Sequence, residues 1–227
     1  SVPKNPFGDT GERVQMNPKG GSPDLVEPAG PVDPQLFVLS VKHSDGRPLA
    51  LLANYGLHYV GGYKGSAVSA DYYGVFADRV QQLLGADRQD PPFVGIMSNG
   101  TSGDVNNVHF RRPRPAAAPW VRMREVAFDV AEEAVRVWKG IQHVSQVRLG
   151  AQAADLQLGV RRPDAARLEW ARVLLAREGR GPRMSRPQIY ADEALHLSKF
   201  PESAPVRLQA LRIGELGIAA VPCEVFA

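Results

Sequence analysis

Three ionisable residues, His58, Asp104 and Glu224, each stand just past an apolar, strand-like run, 50–55, 92–97 and 216–221 respectively. In open α/β sheets, ligands gather beyond the carboxyl ends of such strands. If the three strands are neighbours in one sheet, the three groups converge on one edge. Two histidines plus a carboxylate, with one position left for water, form the common catalytic zinc set, because the metal lowers the pKa of bound water to about 7. A second histidine is not evident. His109 is near the central loop but runs into Phe110 and arginines, and His43, His143 and His196 lie in turn or helix contexts that suggest exposure. Each group also has a structural reading. A lone histidine like His58 is more often a hydrogen-bonded structural residue than a ligand, and Glu224, after Pro222, also reads as a helix-start residue favoured by the dipole.

The central stretch, PFVGIMSNGTSGDVNN over 92–107, organises the rest. Its first six residues lack polar alternation, which suits a strand covered on both faces. The loop that follows offers donors and acceptors from Asn99, Thr101, Ser102, Asp104, Asn106 and Asn107, with Gly100 and Gly103 allowing close backbone approach. The same residues are ordinary turn formers, so composition leaves open whether this is a site or only a strand-to-helix connection.

The positioning elements follow from periodicity and breakers. Residues 1–34 are rich in Pro and Gly without periodicity and read as an extended wrapping segment; 35–227 read as one partial domain. The runs 35–42 and 48–55, joined by Asp45-Gly46, predict a β-hairpin, and the second strand delivers Asn54, Gly56 and His58 into a glycine-rich loop at 61–65. Apolar residues three and four apart predict helices from about Tyr72 to Leu84 and from about Trp120 to Trp138. One or two strands are expected over 144–158, and a helix begins at Arg162-Pro163-Asp164 with the proline in its first turn. A shorter helix covers 192–199 after a basic loop over 179–187, and a second hairpin turns at Gly214. Interleaved strands and helices with two hairpins predict a mixed α/β fold, its sheet flanked by helices and its site at the strand ends.

Composition narrows the function classes. A hydrophobic content of 44% with 22% charged residues is that of a globular protein, and no apolar run reaches a membrane span. One cysteine excludes an intrachain disulfide framework and a multi-cysteine zinc site, so a metal would need His and carboxylate ligands. A net charge of +3, with arginines clustered only at 111–114 and 177–186 and no interleaved aromatic module, argues against a nucleic-acid surface. The chain has neither a phosphate-binding P-loop nor a Gly-x-Ser-x-Gly nucleophile elbow. It opens on Ser1 and stops just after Glu224, as an excised piece of a longer protein would.

Taken in order, several motifs resemble the catalytic domain of the neutral/alkaline non-lysosomal ceramidase family. LFVLSV at 36–41 with Gly46-Arg47-Pro48-Leu49 resembles the family's opening hairpin. Leu52-Ala53-Asn54-Tyr55-Gly56-Leu57-His58 resembles its strand ending in a zinc-binding histidine, and Ser69-Ala70-Asp71-Tyr72-Tyr73-Gly74 its next helix start. Residues 92–105 are similar to the family's strand and Gly-Asp-Val turn, and Val221-Pro222-Cys223-Glu224 to a Val-Pro-Gly-Glu motif whose glutamate binds zinc. The resemblance runs from about Val32 to Ala227.

The resemblance implies an internal fragment of a zinc-dependent hydrolase that cleaves an amide or ester bond of a lipid or other small molecule with a metal-activated water. His58 and Glu224 would bind zinc with a histidine upstream and a tyrosine downstream of the matched region. Asn99, Gly100 and Gly103 would bind substrate, and Ser102, Asp104 and Asn106 would carry catalytic roles. Asn106 stands where the family has serine; an amide is no oxygen nucleophile, so Ser102 is the hydroxyl that would replace it. Cys223 replaces the family's glycine and reads either as a small buried residue or as a thiol able to bind metal. The fragment alone is expected to be inactive, the full-length protein secreted or periplasmic. The alternative is a ceramidase-like binding domain that kept the fold and lost the chemistry.

Overall fold

The structure, a computed structural model, describes residues 14, 17–63, 67–113 and 116–226. The remainder of the wrapping segment expected over 1–34, residues 64–65 of the glycine-rich loop, and Arg114 lie outside the described residues. The chain forms two compact units, one of Met16–Val147 with Cys223–Ala227 and one containing Arg148–Pro222. Together they are mixed α/β, with two three-stranded sheets and four helices among the described residues.

The first unit is built on the hairpin of β1 (Leu36–Lys42) and β2 (Pro48–Tyr55), antiparallel to each other. The turn forms where Asp45-Gly46 requires it. Gly46 takes φ 90°, and the Asp45 carboxylate accepts from the backbone N–H (3.0 Å) and Nε (2.9 Å) of Arg47. A crossover through α1 (Asp71–Leu83) brings β3 (Val94–Asn99) in parallel to β2, giving the order β1-β2-β3. The next helix, α2 (Val121–Gly140), packs on α1 and β1. Tyr72, Phe76 and Val80 of α1, Leu51 and Ala53 of β2, and Ala127, Ala131 and Ala134 of α2 are fully buried in one core.

Both helices lie on one side of this sheet, and that corrects the expectation of a central strand covered on both faces. Gly95 of β3 packs against α1, where a Cβ would stand 3.1 Å from Ala77 Cα. The alternate positions Val94 and Ile96 are 48% and 46% exposed, beside Phe37 and Val41 on the same open face. A continuous apolar run is compatible with either arrangement; the placement of helices decides it.

In the second unit, β4 (Leu149–Gly159), β5 (Ser203–Ile213) and β6 (Leu216–Ala220) form an antiparallel sheet in that order, with the β5–β6 turn at Gly214. Helices α3 (Ala165–Glu178) and α4 (Arg186–Leu197) pack on one another through Ala171, Leu174, Leu175, Ala191 and Ala194. Two helix starts differ from expectation. Asp164 is the N-cap of α3, its carboxylate accepting from Arg167 N–H, so Pro163 lies just outside the helix. The last helix begins six residues before Asp192, because Ser185 and Gln188 form a reciprocal capping box.

Candidate functional site

Because β2 and β3 are parallel neighbours, their carboxyl ends open side by side, with Tyr55 level with Asn99. The two exit turns interlock through glycine. The Gly100 N–H donates to Tyr55 O at 3.0 Å. A Cβ on Gly56 would stand 3.0 Å from Thr101 O, and one on Gly100 3.1 Å from Asn54 Oδ1, so neither turn has room for a side chain. Two residues after Gly56, the backbone N–H of His58 donates to Val105 O at 3.1 Å, tying the histidine to the second turn.

Glu224 comes from a different direction than expected. The strand that precedes it, β6, belongs to the sheet of the other unit, so the three exits do not share one sheet edge. Instead the segment 223–226 joins the β2/β3 exits directly: Gly103 N–H donates to Val225 O at 3.0 Å. Position 103 is filled from outside, since a Cβ there would run into the Phe226 ring and approach Glu224 Cγ to 3.0 Å. Glu224 Oε1 thereby lies 3.5 Å from His58 Nδ1, the histidine side chain 31% and the glutamate 60% exposed. This is at the far limit of a hydrogen bond, and as a surface ion pair it would contribute little to stability. The His58 ring lies against Tyr59, centroids 4.4 Å apart.

The other expected site residues are distributed around this pair. Asn99 is exposed and its Oδ1 accepts from Tyr73 OH at 2.7 Å. Ser102 is buried, 4% exposed, and its carbonyl accepts from Val105 N–H. Asp104 is exposed beside Gly30 of the N-terminal segment. The Asn106 amide donates to Asn17 Oδ1 at 3.1 Å and its Oδ1 accepts from Asn107 at 3.2 Å, which commits it to positioning chain. The amides of Gly100 and Gly103 are both used within the protein. Among the described residues no third His, Cys, Asp or Glu completes a metal-holding group with His58 and Glu224, and Cys223 is exposed.

The β2-exit turn is held by a group that sequence reasoning read only as a helix start. Asp71, 6% exposed, accepts from the backbone N–H groups of Val60, Gly61 and Tyr72, each at 2.8 Å. Leu57 O accepts from Tyr72 OH at 3.1 Å, with the Tyr73 hydroxyl, which donates to Asn99, 3.3 Å away. Burial pushes the phenol pKa of both tyrosines up, most strongly for Tyr72. Both stay protonated in the folded protein above about pH 10, where unfolded tyrosine ionises. The unfolded chain then binds fewer protons than the folded one, so their contribution to stability is full below about pH 10 and is lost as pH rises beyond it. A spectrophotometric titration should find Tyr72 ionising only as the fold is lost and Tyr73 ionising above the ordinary tyrosine range; a folded protein in which every tyrosine ionises near pH 10 would contradict this arrangement.

No family model and no curated protein matches the chain. Solved structures do. The neutral ceramidase from Pseudomonas aeruginosa matches with a TM-score of 0.57 at 16% identity, over 85% of this chain and 35% of that one. A ceramidase complexed with C2 matches with a TM-score of 0.58 at 16% identity, over 90% of this chain and 38% of that one. The chain therefore spans little more than a third of the ceramidases it matches. At this identity the likeness is one of architecture, and the chain has a ceramidase-like fold.

Proposed function

We propose that this chain is part of a zinc-dependent, ceramidase-like hydrolase that cleaves an amide or ester bond, with His58 and Glu224 as two of the metal ligands. The observation that carries this is the approach of His58 Nδ1 and Glu224 Oε1 to 3.5 Å across 166 residues of chain (224 − 58). Two ligands on a tetrahedral zinc at about 2.1 Å stand about 3.4 Å apart, so the pair fits half of such a set. An imidazole nitrogen and a carboxylate oxygen are also suitable donors for it. The remaining ligands would come from the full-length protein, outside this chain. Zinc, when bound, supplies a Lewis acid and acidifies a water.

This chain's own residues supply binding and order. Asn99, its Oδ1 held by Tyr73, keeps its Nδ2 for a substrate carbonyl. On this reading the tethered Asn106 offers no oxygen nucleophile, the buried Ser102 shapes the turn, and the attack is left to water. Asp104, exposed at the rim, is the group free to meet a polar substrate atom. The substrate class is an N-acyl amide or an ester on a lipid or other conjugate.

The test uses the full-length protein. It should contain stoichiometric zinc and hydrolyse amide or ester substrates, and His58→Ala should remove both properties while leaving the fold intact. A well-folded full-length protein without zinc would sink the reading.

A further inference from the structure

We propose that Asp71 is a positioning residue for His58, acting through the backbone on both sides of the histidine; the inference rests on the zinc reading above. An aspartate at a helix start ordinarily caps its own helix. Asp71 does more: Ala70 is the N-cap of α1, without a side-chain cap bond, and the Asp71 carboxylate takes one first-turn amide of its own helix and also reaches the loop ten and eleven residues earlier. Oδ1 takes Val60 N–H and Tyr72 N–H, and Oδ2 takes Gly61 N–H. No side-chain cation pairs with it among the described residues. Its charge is met by three N–H donors at the positive end of a helix, which makes each of those bonds charge-assisted. The residue sits at φ 52°, a left-handed conformation uncommon outside glycine, and its own N–H donates to Ser69 Oγ at 3.0 Å. Strain of this kind persists where the surroundings over-determine it.

The next residue completes the grip. Tyr72 OH donates to Leu57 O, the carbonyl that precedes His58, at 3.1 Å, while Tyr73 OH lies 3.3 Å from the same carbonyl and gives its proton to Asn99 Oδ1. Two consecutive residues of α1 thus hold the chain immediately before and after the histidine, while Val105 O takes its amide. With the backbone fixed from Leu57 to Gly61, the ring direction toward Glu224 depends on two side-chain torsions only. Outer groups that orient a metal ligand typically account for a 10- to 100-fold difference in metal affinity.

The experiment measures zinc affinity of the full-length protein by chelator competition, and amide exchange of residues 58–61 in the metal-free protein. Asp71→Asn, which cannot accept at both oxygens, should weaken zinc binding about 10- to 100-fold and speed exchange at Val60 and Gly61. Tyr72→Phe, which removes the donor to Leu57 O, should change both in the same direction by less, and it carries the test if Asp71→Asn fails to fold. Val80→Ala, fully buried in the same helix, should lower the unfolding temperature and leave zinc affinity unchanged. An Asp71→Asn protein that loses only stability, like Val80→Ala, overturns the positioning role. A wild-type protein that takes up no zinc overturns the zinc reading itself, and the two failures are read from different samples.

Discussion

Gly103→Ala is expected to cost the protein its His58–Glu224 contact although neither residue is changed. The added methyl would stand inside the Phe226 ring and 3.0 Å from Glu224 Cγ, so one side must give. The turn is locked on its far side, where a Cβ at Gly56 or Gly100 would already stand 3.0–3.3 Å from facing atoms. The tail at 223–226 is held to position 103 by one backbone bond and by a phenyl ring that is 52% exposed. One hydrogen bond contributes about 0.5–1.5 kcal/mol net, and half-burial of such a ring about 1–1.5 kcal/mol. That sum lies in the same range as the 1–3 kcal/mol of overpacking, so releasing the tail is the route open to the protein. If the zinc reading proposed above holds, the zinc affinity of Gly103→Ala in the full-length protein should fall to that of Glu224→Ala, with a drop of only a few degrees in unfolding temperature. Gly140→Ala, where a Cβ meets nothing within 4 Å, should change neither. Wild-type affinity in the Gly103 variant would refute the docking of the tail.

Phe76→Ala should produce the largest loss of stability. Phe76 is fully buried where α1 meets the sheet and α2. Truncation of such a ring leaves a cavity and costs about 3–5 kcal/mol, a large share of the 5–15 kcal/mol by which domains are stable. The effect reaches the site, because α1 carries Asp71, Tyr72 and Tyr73. Phe128 gives the comparison: on α2 it is 38% exposed, with the Arg79 guanidinium over its ring at 4.6 Å. Phe128→Ala should cost far less in denaturant unfolding. Equal losses for the two variants would mean that the core is not centred on Phe76.

How much was legible in the sequence depended on the range of the cause. The turn at Asp45-Gly46 and the helix at Asp71–Leu83 follow from local rules, a positive φ and a 3.6-residue period, and both lie where those rules predict. The start of α4 was also written locally, in Ser185 and Gln188, but the capping-box pattern was passed over for the apolar residues that follow. The exposure of Val94 and Ile96 was not legible, because a continuous apolar run says that a strand is non-polar on both faces and not which face receives helices. In the candidate site, His58 and Glu224 were picked out by their places after strands and by family resemblance, and the structure brings them to 3.5 Å. Their common sheet edge was not found: among the described residues β6 pairs with β5 alone, and the segment after it belongs to the other unit. Asp71 was visible only as a charge beside a helix, since its bonds to Val60 and Gly61 require the completed fold.

The late position of Glu224 also sets an order in time. During synthesis the hairpin, α1, β3 and α2 can assemble once residue 140 has emerged, and with them the clamp on His58 and the turn that awaits the tail. The carboxylate that faces His58 is translated more than eighty residues later, after the whole of the second sheet. At about 5–20 residues per second, that interval lasts several seconds. Throughout it the nascent chain displays the His58 imidazole without the carboxylate that faces it in the folded protein, and the contact between them waits until Glu224 and Phe226 have left the ribosome.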